Sequence, residues 1–150
     1  MLNKRSKQVR RDAIELSLAN GGYHYGGSFS CAEILINLFD NILKEEDRFI
    51  LSKGHGCWAY YVLLRERGFN PTLEGHPHFE PENGIFCTAG SMGHGLPVAI
   101  GQALARKLNK DTSIISDNSS IEMIAASAAK PDTGGNELVA ELLIKKTIFT

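Results

Sequence analysis

Three histidines flanked by glycine are the side chains of this sequence best placed for chemistry: His55 in Gly54-His55-Gly56, His76 in Gly75-His76-Pro77, and His94 in Gly93-His94-Gly95. Glycine beside an imidazole gives the ring freedom of placement and leaves room for a ligand. Near neutral pH an imidazole either donates or accepts a hydrogen bond, which suits the hydroxyls and phosphates of a polar substrate. His24 and His78 complete the set of five, and all five fall in expected loops or at element ends. The second feature is Thr88-Ala89-Gly90-Ser91-Met92-Gly93-His94-Gly95, which runs directly into an expected helix. First-turn N–H groups have no intrahelical acceptor, and with the helix dipole they form an anion site suited to phosphate or diphosphate. Glycines at 90, 93 and 95 do not make the dinucleotide fingerprint, and no Lys-Ser or Lys-Thr pair completes a P-loop. Each feature also has a plainer reading: a glycine-rich helix start serves as a tight packing turn, and a loop histidine often just faces water. A zinc site is a third reading, but no His-x-x-x-His pair and no zinc-like Cys/His spacing supports it.

The elements that must hold these residues follow from periodicity. Residues 4–19 predict a helix with Val9, Ala13, Ile14 and Leu16 on its apolar side, ended by Asn20-Gly21-Gly22. Ser30 and Glu33 have capping-box spacing and predict a helix start there, with Ile34, Leu35, Leu38, Phe39 and Ile42 on one face. Phe49-Ile50-Leu51 predicts a short buried strand, and residues 56–67 a helix stopped by Gly68. Residues 68–90 form a long Gly/Pro/His/Glu loop, a length more often functional than idle. A helix over 94–108 carries Pro97 in its first turn, where the missing N–H does no harm. Beyond it, Ile114-Ile115 predicts a short strand, 119–129 a helix, 130–136 a linker, 137–146 an amphipathic helix, and 147–150 a strand-like end.

At 150 residues with 43% apolar and 22% charged residues, the chain has the size and composition of one globular domain. A net charge of −1 argues against a general nucleic-acid binder, and the basic residues between Lys4 and Arg11 lack interleaved aromatics. Cys31, Cys57 and Cys87 make no Cys-x-x-Cys and no disulfide framework. With no apolar signal core and no segment near the ~20 apolar residues of a membrane span, the expected location is a reducing cytoplasm, away from membranes.

In this order and spacing the motifs resemble the N-terminal, diphosphate-binding half of transketolases, most strongly over residues 19–108. The resemblance implies an α/β fold, a parallel sheet between helix layers, with thiamine diphosphate as cofactor and a two-carbon ketol unit moved between sugar phosphates. It implies that His24 faces the cofactor's reactive end and the donor, and that His76 contacts the donor's oxygens, both as catalytic residues. His55, Gly90 and Met92 would line the cofactor. Asp117 would be the metal ligand for magnesium or calcium, although Ser116 and Asn118 stand where the family has glycines, and its later metal asparagine has no counterpart here. The pyrimidine-binding domain and the glutamate that activates the cofactor find no match. The expectation is therefore one N-terminal-like domain over 1–150, degenerate over 109–150: a helix-rich, truncated remnant of the three-layer domain with exposed apolar faces. It would work in an oligomer with a separate C-terminal transketolase subunit, and be inactive alone. The alternative is a non-catalytic remnant or interaction module of the same family.

Overall fold

The central helix is apolar on every side of its first two turns, so it has to be enclosed. In the computed structural model, which describes residues 2–22, 24–45, 47–91, 93–109, 123–128 and 139–144, this is α3, Cys57–Glu66, with all residues from Cys57 to Leu64 buried. It packs against α1, Lys4–Ala19, and α2, Tyr25–Asn37, which runs on as a π turn over Leu38–Ile42. Trp58, Tyr60, Tyr61 and Leu63 of α3 are almost wholly removed from water. Burying each contributes on the order of 1.5–3 kcal/mol. Phe39, Phe49 and Tyr60 meet edge to face with ring centroids 5.2–5.9 Å apart.

Helix ends follow local chemistry. Asn3 caps α1, its Oδ1 accepting from the Ser6 N–H at 2.7 Å. At the end of α3, Gly68 N–H donates to Arg65 O and Phe69 N–H to Leu64 O, the paired closure that needs a left-handed residue, and Gly68 takes φ +88°. The bounds expected for α1 and the stop at Gly68 hold. The start of α2 does not: the helix opens five residues before the Ser30 cap read from the sequence. Ser30 Oγ donates back to Gly27 O at 3.0 Å, while Glu33 turns away to Arg10 and Ser6 of α1. The capping-box residues thus serve tertiary contacts.

The sheet has three strands, β1 (Phe49–Leu51), β2 (Met123–Ala128) and β3 (Val139–Ile144), in that order. β1 and β2 are parallel, with Ile50 opposite Ile124, and β2 and β3 are antiparallel, with Ala125 opposite Leu142. The helices expected over 119–129 and 137–146 are therefore replaced by strands where the structure describes them. β1 is buried along its whole length, and its peptide groups need ladder partners, a demand that outweighs a weak helical period in small residues. Ile114-Ile115, the 130–136 linker and 147–150 lie outside the described residues. α4, Gly95–Asn109, packs against β1 and β2. The architecture is α/β, rich in helix, with one small mixed sheet. Among the described residues no helix is long and apolar enough to cross a membrane.

Two arginines tie α1 to its neighbours. Arg5 donates to both carboxylate oxygens of Asp40 at 3.0 Å and to both of Glu66 at 2.7 and 2.6 Å. Arg10 forks onto Glu33 at 2.7 and 2.6 Å. Hydrogen bonds from Arg10 hold the Glu33 carboxyl down at about 2 from its ordinary 4.5. This pair therefore contributes fully above pH 4.5, and its contribution fades as the pH falls toward 2. Glu33→Gln is expected to flatten that part of the acid limb of stability, by less than about 1 kcal/mol because the carboxylate is half exposed. Urea midpoints of both proteins between pH 5 and 2 check it; parallel curves would refute the assignment.

Candidate functional site

After β1 the chain passes through buried Ser52 and Lys53 into a 3-10 turn, Gly54–Gly56, which presents His55 and starts α3. The flanking glycines matter because three segments approach here more closely than side chains would allow. A Cβ on Gly54 would lie 2.8 Å from Ala89 Cβ and 3.0 Å from Gly90 N. A Cβ on Gly27, in the first turn of α2, would lie 2.8 Å from both His55 Cδ2 and His55 O.

His24 stands at the N-cap of α2 in the left-handed region, φ 65°, ψ 39°. For a residue with a side chain this costs on the order of 1–2 kcal/mol and is met most often at functional sites. Its ring centroid lies 5.6 Å from that of His55 and 6.3 Å from that of His76, both edge to face. His76 arrives from the long loop, which α3 anchors by its carbonyls. Cys57 Sγ donates to Glu74 O and Gly75 O at 3.4 and 3.3 Å, and Tyr61 Oη to Glu74 O at 3.1 Å. Burial pushes the Cys57 thiol up to about 12, which keeps it protonated and able to donate. Past the histidine, Pro77 is wholly buried, and its carbonyl accepts from the Ala89 N–H at 2.8 Å. That bond carries Gly90, at φ +149°, to the face of His76: a Cβ on it would sit 4.0 Å from the ring.

His24, His55, His76 and Gly90 thus form one cluster, with His24 and Gly90 exposed and the other two half-buried. Burial lowers the His55 pKa first, and the charges of Lys53, His24 and His76 lower it further. Several cationic or polar N–H donors with bare backbone between them make a setting for an anion with hydroxyl-bearing neighbours. Two histidines stay apart. His78 Nε2 pairs with Glu74 Oε2 at 2.9 Å, and exposed His94 has its Nε2 3.4 Å from Ser91 Oγ. Met92 and Asp117 lie outside the described residues. Among the described residues no three His, Cys, Asp or Glu side chains are grouped to hold a metal. Sequence reasoning missed Cys57, Tyr61 and Gly27 as positioning residues. Their roles depend on carbonyls and contacts from segments distant in the chain.

Compared with known families, residues 4–126 match the thiamine diphosphate binding domain of transketolase. Among curated proteins, an apulose-4-phosphate transketolase subunit of Actinobacillus succinogenes is 36% identical over 71% of this chain and 46% of its own length. A 6-deoxy-6-sulfo-D-fructose transketolase subunit from Clostridium sp. is 32% identical over 81% of this chain and 53% of its own. The chloroplastic transketolase of Spinacia oleracea is 35% identical over 64% of this chain and 16% of its own. The chain spans about half the length of the subunit relatives it matches. No solved structure gives a significant match.

Gly27→Ala is expected to lower stability by about 1–3 kcal/mol, since its Cβ would have to push aside the backbone carbonyl of His55 as well as the ring. Gly26→Ala, whose Cβ would meet nothing within 4 Å, should be neutral or slightly stabilising. Denaturant midpoints of the two variants decide this; equal values would contradict the close approach.

Proposed function

The chain belongs to the transketolase family, in its thiamine diphosphate-binding domain, and on that premise we propose that it is the diphosphate-binding component of a two-carbon ketol transferase acting on sugar phosphates. The observation that carries the reading is the convergence of His24, His55, His76 and Gly90 from three separate segments. Relatives named as transketolase subunits support a division of the enzyme between chains, the partner here being a C-terminal transketolase subunit. The remainder of the site would then come from that partner in an oligomeric assembly.

The residues present fit the cofactor's anionic end. His55 offers a ring donor, Gly54 and Gly90 offer backbone with no side chain in the way, and buried Ser52 Oγ has no hydrogen-bond partner among the described residues. Ser52 also lies against Gly95, in the first turn of α4. Thiamine diphosphate, when bound, supplies the carbanion chemistry that breaks and remakes the carbon–carbon bond. In this reading His55, Gly90 and Met92 bind and orient the cofactor, and Asp117 gives a carboxylate to magnesium or calcium. His24 and His76 hydrogen-bond the hydroxyl and carbonyl oxygens of the donor sugar, and each can hold or release a proton there. Positioning is the larger part of what such side chains contribute.

Calorimetric titration with thiamine diphosphate and magnesium, in the presence and absence of a C-terminal transketolase subunit, tests the reading. Binding is expected to weaken tenfold or more in His55→Ala, about the weight of one charge-assisted hydrogen bond. His76→Ala should bind the cofactor and lose ketol transfer, and Asp117→Ala should lose the magnesium dependence. No binding even with the partner present would remove the proposal.

A further inference from the structure

Lys53 is 2% exposed, yet among the described residues its ammonium meets no carboxylate. Its polar contact is Ser30 Oγ, 2.8 Å from Nζ. A buried ammonium without a counter-charge is penalised by lost hydration, and a methionine would fill the same space without that penalty. The charge therefore calls for a reason, and the geometry gives one.

Ser30 accepts from Lys53 and donates to Gly27 O at 3.0 Å. Gly27 lies against His55 closely enough that a Cβ on it would sit 2.8 Å from both the ring and the carbonyl. His55 is in turn two residues along the chain from Lys53. The result is a closed circuit: Lys53 to Ser30 to Gly27 by hydrogen bonds, Gly27 to His55 by packing, and His55 back to Lys53 through Gly54. We propose that Lys53 is a positioning residue for His55, pinning the Gly54–Gly56 turn to α2 through Ser30 and setting a fixed positive charge behind the imidazole.

The Lys53 charge disfavours a second cation on His55, so the imidazole favours its neutral form, with one donor and one acceptor nitrogen. Other groups face His55 as well: His24 from α2 and His76 from the long loop, each disfavouring its protonation, and Gly27 at the N-terminal turn of α2. Cys31 of α2 faces Lys53; burial raises its pKa, so the thiol leaves the ammonium uncompensated. Lys53 itself is shifted downward by burial, in keeping with a charge held at a cost. The use of a neutral His55 rests on the proposed function, but the test below needs no cofactor.

In the full chain without ligand, the C2–H resonance of His55 is followed by NMR against pH, together with amide exchange at Gly54–Gly56. Lys53→Met is expected to raise the His55 midpoint toward the ordinary 6.5, and Lys53→Arg to keep it low. Ser30→Ala, which keeps the charge and removes the tether, should leave the midpoint low and speed exchange about fivefold, the weight of one hydrogen bond. An unchanged midpoint in Lys53→Met overturns the electrostatic half, and unchanged exchange in Ser30→Ala overturns the tether. If Lys53→Met does not fold, Lys53→Arg decides: a midpoint raised to 6.5 with the cation retained would contradict the proposal.

Discussion

Everything at the site depends on one close approach, that of the Gly54–Gly56 turn to the first turn of α2 at Gly27. Backbone meets backbone and ring there, with no volume left for a methyl group. Such a contact gains little energy itself, since dispersion per atom pair is small. Its consequence is geometric: the N-cap of α2 and the turn after β1 cannot move independently. His24 sits on the first and His55 on the second, so their relative placement is fixed before any ligand arrives. Preorganisation of this kind spares a binding site the entropy of ordering its own side chains.

The third ring is held differently. His76 belongs to a loop with little regular structure, and its carbonyls do the anchoring, to Cys57 and Tyr61 on the buried face of α3 and to Ala89 further along. The most buried helix thus serves as core on one side and as a jig for a loop on the other. A cysteine and a tyrosine suit that position because each is apolar enough to bury and carries one hydrogen to give. The left-handed backbone at His24 adds a local strain that the surrounding packing must offset, the pattern expected where placement of a side chain matters more than local stability.

Much of this was legible in the sequence. The apolar spacing through Val9 and Ala13, the Asn20-Gly21-Gly22 stop and Gly68 marked helix limits because periodicity and left-handed stops are local chemistry, while the Asn3 cap emerged only in the structure. The glycines beside His55 and His76 marked the candidate site because glycine beside an imidazole leaves the ring free to be placed and room for a ligand. Legibility failed where meaning came from afar. Ser30 and Glu33 read as a capping box, yet they are spoken for by Lys53, Arg10 and Ser6 from other elements. The stretches through Met123–Ala128 and Val139–Ile144 read as helices, while the ladder begun at β1 makes them strands. His94, flanked by glycine just as His55 is, lies exposed beside Ser91, so the motif alone does not distinguish a site residue from a surface one.

The central claim of the proposed function is that three imidazoles from separate segments share one site, His55 toward the diphosphate with His24 and His76 close beside it toward the donor sugar. Titrating the protein with inorganic pyrophosphate while recording the histidine ring resonances tests it without any enzymatic assay. The account predicts that His24, His55 and His76 shift together with one saturation curve, while His78, paired with Glu74, stays still. Independent curves for the three rings, or a response from His78 alone, would contradict it.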